Sequence, residues 1–137
     1  MRLGKAVLAA LVGCVLALGA CGRNDDKTSP AAEEQSTAAE AVREIAAVRT
    51  GLGRAVAQLR AGDRKAAEDT VAESYLQHFE KVEGPLDKVD HELNEELEET
   101  LKGELRTKIS GGAPVGEVEK LVDEVNGDLD TAEAKLK

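Results

Sequence analysis

Apolar side chains recur at steps of three and four from residue 42 onward. Val42, Ile45, Val48, Leu52, Val56 and Leu59 form the first such row, the spacing of one helix face. Thr37 and Glu40 precede it at the separation of a capping box, so the first helix is predicted to start there. Gly51 and Gly53 lie inside the row, and each costs a helix about 1 kcal/mol relative to Ala. They mark either a close helix contact or a local bend. Ala61-Gly62-Asp63 then stops this helix and starts the next: Gly suits a left-handed stop and Asp an N-cap. So short a connection predicts antiparallel neighbours.

The second row is Ala67, Val71, Tyr75, Phe79 and Val82, and Gly84-Pro85 is predicted to interrupt it, because Pro lacks a donor and restricts its predecessor. Leu86 and Val89 are expected to pack in an irregular turn, with Asp90 capping a third helix. Its row is Leu93, Leu97, Leu101, Leu105 and Ile109. A strict step of four drifts by about 40° per step on an α-helix, so this row should wrap across its partners. Gly111-Gly112-Ala113-Pro114 is the next break, with Pro114 near the start of a fourth helix. That helix carries Val118, Leu121, Val122, Val125, Leu129, Ala132 and Leu136. No strand pattern, hairpin turn or internal repeat is found. The expected architecture is all-α, an up-down antiparallel four-helix bundle over residues 37–137.

A different pattern occupies the first twenty residues. Arg2 and Lys5 give a positive start, Ala6 to Leu18 an apolar run, and Gly19-Ala20 a small-residue site, the layout of a secretory signal peptide. The run is shorter than the ~20 residues of a membrane-spanning helix. Cys21 follows the small pair directly, and Leu18-Gly19-Ala20-Cys21 resembles the lipobox of bacterial lipoprotein precursors. That resemblance implies cleavage before Cys21, a diacylglycerol thioether on its sulfur and an acylated (palmitate-type) amine. It thus implies an extracytoplasmic protein anchored to a bacterial membrane. Leu11-Val12-Gly13-Cys14 offers a shorter alternative, with an apolar core of only Ala6 to Leu11. On the favoured reading residues 1–20 are the signal peptide and Cys14 leaves with it. Residues 21–36, polar and without apolar spacing, are then lipidated Cys and flexible tether.

Composition narrows the function. The formal charge of the whole chain is −9, and loss of Arg2 and Lys5 makes it two units more negative. Such a chain is repelled by nucleic acid and by anionic head groups, and attracts cations or basic proteins. Tyr75 and Phe79 are the only aromatic residues, so the core is built from aliphatic side chains, which suits packed helices. With Cys21 lipidated, no free thiol and no intrachain disulfide remain. Neither a nucleophile motif nor a Gly-rich phosphate loop occurs, and the expectation is a protein that is not an enzyme.

Chemistry concentrates between residues 75 and 92. Tyr75 and Phe79 share a helix face, as do Glu80 and Glu83. Two carboxylates at a helix end offer hard oxygen ligands to iron, calcium or magnesium. His78 precedes them, and Asp87 and His91 follow across Gly84-Pro85, where a fold-back would bring them near. The competing reading is that Glu80 and Glu83 are solvated surface charges. Glu92, Glu95, Glu96, Glu98 and Glu99 read first as the solvated side opposite Leu93 and Leu97, as do the acidic residues of the fourth helix.

Several features recur together from Val48 to Leu136: Gly51-Leu52, Gly62-Asp63, Tyr75-Leu76 with Phe79-Glu80 and Glu83, Leu86, and the break at Gly111 to Val115. In this the chain resembles the extracytoplasmic helical domain that precedes the membrane helices of some bacterial high-affinity iron permeases. The resemblance implies iron handling outside the cytoplasmic membrane, metal-ligand roles for Glu80 and Glu83, and an iron permease or other envelope protein as partner. The sequence departs from that family in lacking the permease membrane helices and the Arg-Glu-x-x-Glu transport motif. An interaction or structural envelope lipoprotein with no small-molecule ligand is the alternative.

Overall fold

The structure is a computed structural model that describes residues 36–137. The expected signal peptide, the lipidation site at Cys21 and nearly all of the tether lie outside the described residues. Within them the protein is all-helical. Four helical rods follow one another: α1 is Ala38–Arg60, α2 covers residues 64–87, α3 residues 91–110, and α4 is Val115–Leu136.

Local chemistry sets the ends of the rods. The Thr37 side chain accepts from Glu40 N–H, and the Glu40 carboxylate accepts from Thr37 N–H at 2.7 Å, completing the capping box. At the α1–α2 turn, Gly62 adopts φ +85°. Asp63 N–H donates to the Gln58 carbonyl and Gly62 N–H to that of Leu59, both at 2.9 Å, which is a Schellman closure. Asp63 then caps α2 through Ala66 N–H at 3.0 Å. The α3–α4 turn repeats the closure around Gly112 at φ +84°. Arg64 donates from α2 to the Ile109 and Ala113 carbonyls at 3.3 and 2.9 Å, tying the two turns together.

Cross-helix ties fix which rods are neighbours. Between α1 and α2 they are Arg54–Glu73 at 3.2 Å and Glu44–His78 at 2.6 Å. Between α2 and α3, Glu68 meets Arg106 at 3.3 Å. Asp90 of the α2–α3 turn meets Lys135 of α4 at 3.0 Å. Arg49–Asp130 at 2.6 Å and Arg60–Glu119 at 2.7 Å join α1 to α4. Between α1 and α2, and between α1 and α4, residue numbers rise along one helix as they fall along the other.

The seam of α1 is shifted from the predicted row. Its buried residues are Ala41, Ile45, Val48, Gly51, Leu52, Ala55 and Leu59, while Val42 and Val56 are only partly buried against the core. The sequence 41-45-48-52-55-59 alternates steps of four and three, the period of a heptad seam. Small Ala side chains at two of its positions let the helices approach. Gly51 does so most closely: an added Cβ would stand 1.9 Å from Ser74 Oγ. Of the two roles open to Gly51, close contact is the one observed. Gly53, by contrast, has open space where its Cβ would be.

The expected break at Gly84-Pro85 is displaced. The helix Glu80–Asp87 runs through Pro85, and the turn falls at residues 88–90. Pro85 has no N–H for the Lys81 carbonyl, four residues earlier. That carbonyl accepts instead from the Ser36 hydroxyl. Leu86 is fully buried in the helix and Val89 is half exposed, so the two do not pack as one irregular turn. Asp90 caps α3 as expected, through Leu93 N–H at 3.1 Å.

Each of the two middle rods contains a π-helical turn, Tyr75–Phe79 in α2 and Thr100–Glu104 in α3. Both fall inside runs that step by four, Ala67 to Phe79 and Leu93 to Ile109. A π turn takes more residues per revolution than an α turn, so it offsets the drift that a step of four imposes. Leu97, Leu101, Leu105 and Ile109 are all fully buried, with Leu93 8% exposed.

A carboxylate cluster beside the two π turns

The candidate site forms beside the π turns of α2 and α3, where Lys102 of the second reaches over the Tyr75 ring of the first. Tyr75 opens the first of them and is 7% exposed. Its ring packs 6.1 Å from that of Phe79, centroid to centroid, and the aromatic pair does belong to the core. The ring buries readily, but the hydroxyl needs a polar neighbour. It finds Glu98 of α3 at 3.5 Å from Oε1 and, from its own helix, Glu83. Lys102, within the second π turn, reaches Glu98 Oε1 at 3.2 Å and lies 5.8 Å from the Tyr75 ring centroid.

Glu83 is the unusual member. Its Oε1 is buried and has no hydrogen-bond partner among the described residues. Burial pushes its carboxyl above the usual carboxylate range; the nearby Tyr75 hydroxyl opposes this, and the charges of Glu98 and Glu80 add to it. Burial also drives the Tyr75 hydroxyl well above the ordinary phenol value, with Glu83 the next cause. Lys102 opposes the excess negative charge but is itself exposed and already paired with Glu98. The arrangement therefore favours whatever delivers positive charge to Glu83 Oε1, a proton or a cation.

The sequence-predicted residues separate into three places. Glu83 is in the cluster. Glu80 lies one turn earlier on an exposed surface, close enough for its charge to raise Glu83. His78 turns the other way: its Nδ1 is 2.6 Å from Glu44 Oε2 on α1, and Lys81 reaches the same carboxylate at 3.1 Å. These contacts hold the Glu44 carboxyl below its usual value, the His78 bond first. Asp87 and His91 pair with each other at 2.6 Å across the α2–α3 turn, and His91 Nε2 lies 3.4 Å from Glu95. The fold-back at Gly84-Pro85 that would have gathered these groups is replaced by continuous helix. Among the described residues no group of three or more His, Cys, Asp or Glu side chains is arranged to hold a metal ion.

Glu98, expected on the solvated side of its helix, is instead half-buried against Tyr75 and Lys102, and Lys102 and Glu44 carry no expectation from the sequence. Glu98 and Lys102 each follow a buried leucine, Leu97 and Leu101, so they sit at the edge of the apolar row rather than opposite it. That flank position, together with the need of a buried Tyr for a partner, is the signal that points to them. A separate groove of about 570 Å³ runs between α1 and α4, away from this cluster. Among the described residues no helix is long and apolar enough to cross a membrane. No family model matches the chain, and neither a curated protein nor a solved structure matches it.

Proposed function

We propose that this chain is a lipid-anchored extracytoplasmic protein whose up-down four-helix bundle binds a divalent cation, iron first among them, as an accessory to iron uptake. Attachment through Cys21 holds the domain at a bacterial membrane, where an iron permease or another envelope protein is the partner. The work is binding and delivery rather than catalysis. Reverse-order ties between α1 and α2 and between α1 and α4 support the up-down topology. The lipobox-like Leu18-Gly19-Ala20-Cys21 supports the anchor.

One observation carries the cation reading: the buried, unpartnered Oε1 of Glu83, with Glu98 and Glu80 adding negative charge around it. Hard oxygen donors of this kind suit iron(II), magnesium or calcium. Because three ligands are not pre-assembled, binding must draw Glu80 or Glu98 toward Glu83, and the affinity is correspondingly modest. The test is calorimetric titration of iron(II), and separately calcium, into the soluble domain and its Glu80→Ala, Glu83→Ala and Glu98→Ala variants. Binding to the parent that is lost in Glu83→Ala is expected. Equal, negligible heats in all four proteins would dismiss the cation.

The second reading, an interaction or structural envelope lipoprotein without a small ligand, is favoured by the exposed acidic side of α3. Glu92, Glu95, Glu96 and Glu99 all face solvent there, and a basic protein segment is the complementary partner. Crosslinking in chelator-treated buffer that captures one dominant envelope partner supports it; a domain that stays solitary in detergent extracts counts against it.

A further inference from the structure

We draw no further inference here: the strongest candidate, the groove between α1 and α4 lined by Gly53, Val56 and Val122, is bridged by the Arg49–Asp130 and Arg60–Glu119 ion pairs, and nothing in the structure shows what covers it.

Discussion

Gly51 and Gly53 stand two residues apart in one helix, and replacing each by Ala is expected to stabilise the protein only at Gly53. Both substitutions gain about 1 kcal/mol of helix propensity. At Gly53 the new methyl meets nothing within 4 Å, so that gain stands alone. At Gly51 the methyl would lie 1.9 Å from Ser74 Oγ and 3.0 Å from Ser74 Cβ. Ser74 is buried, and its hydroxyl donates to the Thr70 carbonyl at 2.8 Å, so rotating it away breaks that bond. Overpacking of this sort costs about 1–3 kcal/mol, which cancels or outweighs the propensity gain. The two variants should therefore differ by about 1–3 kcal/mol, a gap of several degrees in Tm for a domain of this size. Urea unfolding followed by circular dichroism measures it directly. Ser74→Ala in the Gly51→Ala background should recover part of the loss, because it removes the nearer of the two clashing atoms. Equal stabilisation by Gly51→Ala and Gly53→Ala would refute the close approach of α1 and α2 at this point.

Other expectations concern charge and anchoring. Glu83 has a folded-state value raised by burial, so its contribution to stability is greatest below the ordinary carboxylate range and is lost as pH rises through the raised value. Glu83→Gln should remove that decline and be at least as stable as the parent at neutral pH; an unchanged pH profile of the urea midpoint would contradict it. His91 is raised above 6.5 by Asp87 first and then Glu95. Its stabilisation is therefore present on the acid side of that value and fades as pH rises through the folded one. His91→Gln should flatten this part of the profile, and a parent-like slope in the variant counts against the pairing. Cys21→Ala in the full chain should abolish incorporation of labelled palmitate and release the protein from the membrane fraction. Retention of both would overturn the lipid anchor.

Most of the fold was legible because helix punctuation is local. Thr37-Glu40, Gly62-Asp63, Asp90 and Gly112 each act within a few residues of themselves, and each does in the structure what its chemistry dictates. Gly84-Pro85 failed for the opposite reason. A proline breaks a helix mainly by orphaning a carbonyl and crowding the turn before it, and here the orphaned Lys81 carbonyl is answered by Ser36, far away in sequence. Val42 and Val56 were placed in the seam of α1 because larger apolar residues dominate any reading by hydrophobicity. Heptad geometry placed Ala41 and Ala55 there instead, and the close approach at Gly51 explains why small residues are needed.

The candidate site was half legible, and the missing half has one physical cause. Glu80 and Glu83 share a face of one helix, so local spacing finds them. Glu98 and Lys102 complete the cluster from another helix, through a register that only the packing of α2 against α3 creates. The step of four from Ala67 to Phe79 and from Leu93 to Ile109 is the local trace of those turns. On a straight α-helix the five residues from Leu93 to Ile109 would drift by about 160°, too far to remain on one buried face. A drift of that size within a fully apolar row demands extra residues per turn, and π turns supply them. The turns fall where Tyr75 and Leu101 lie, next to Glu83 and Glu98. The same irregularity that keeps the leucines buried thus lies beside the carboxylates of two helices whose charges raise Glu83.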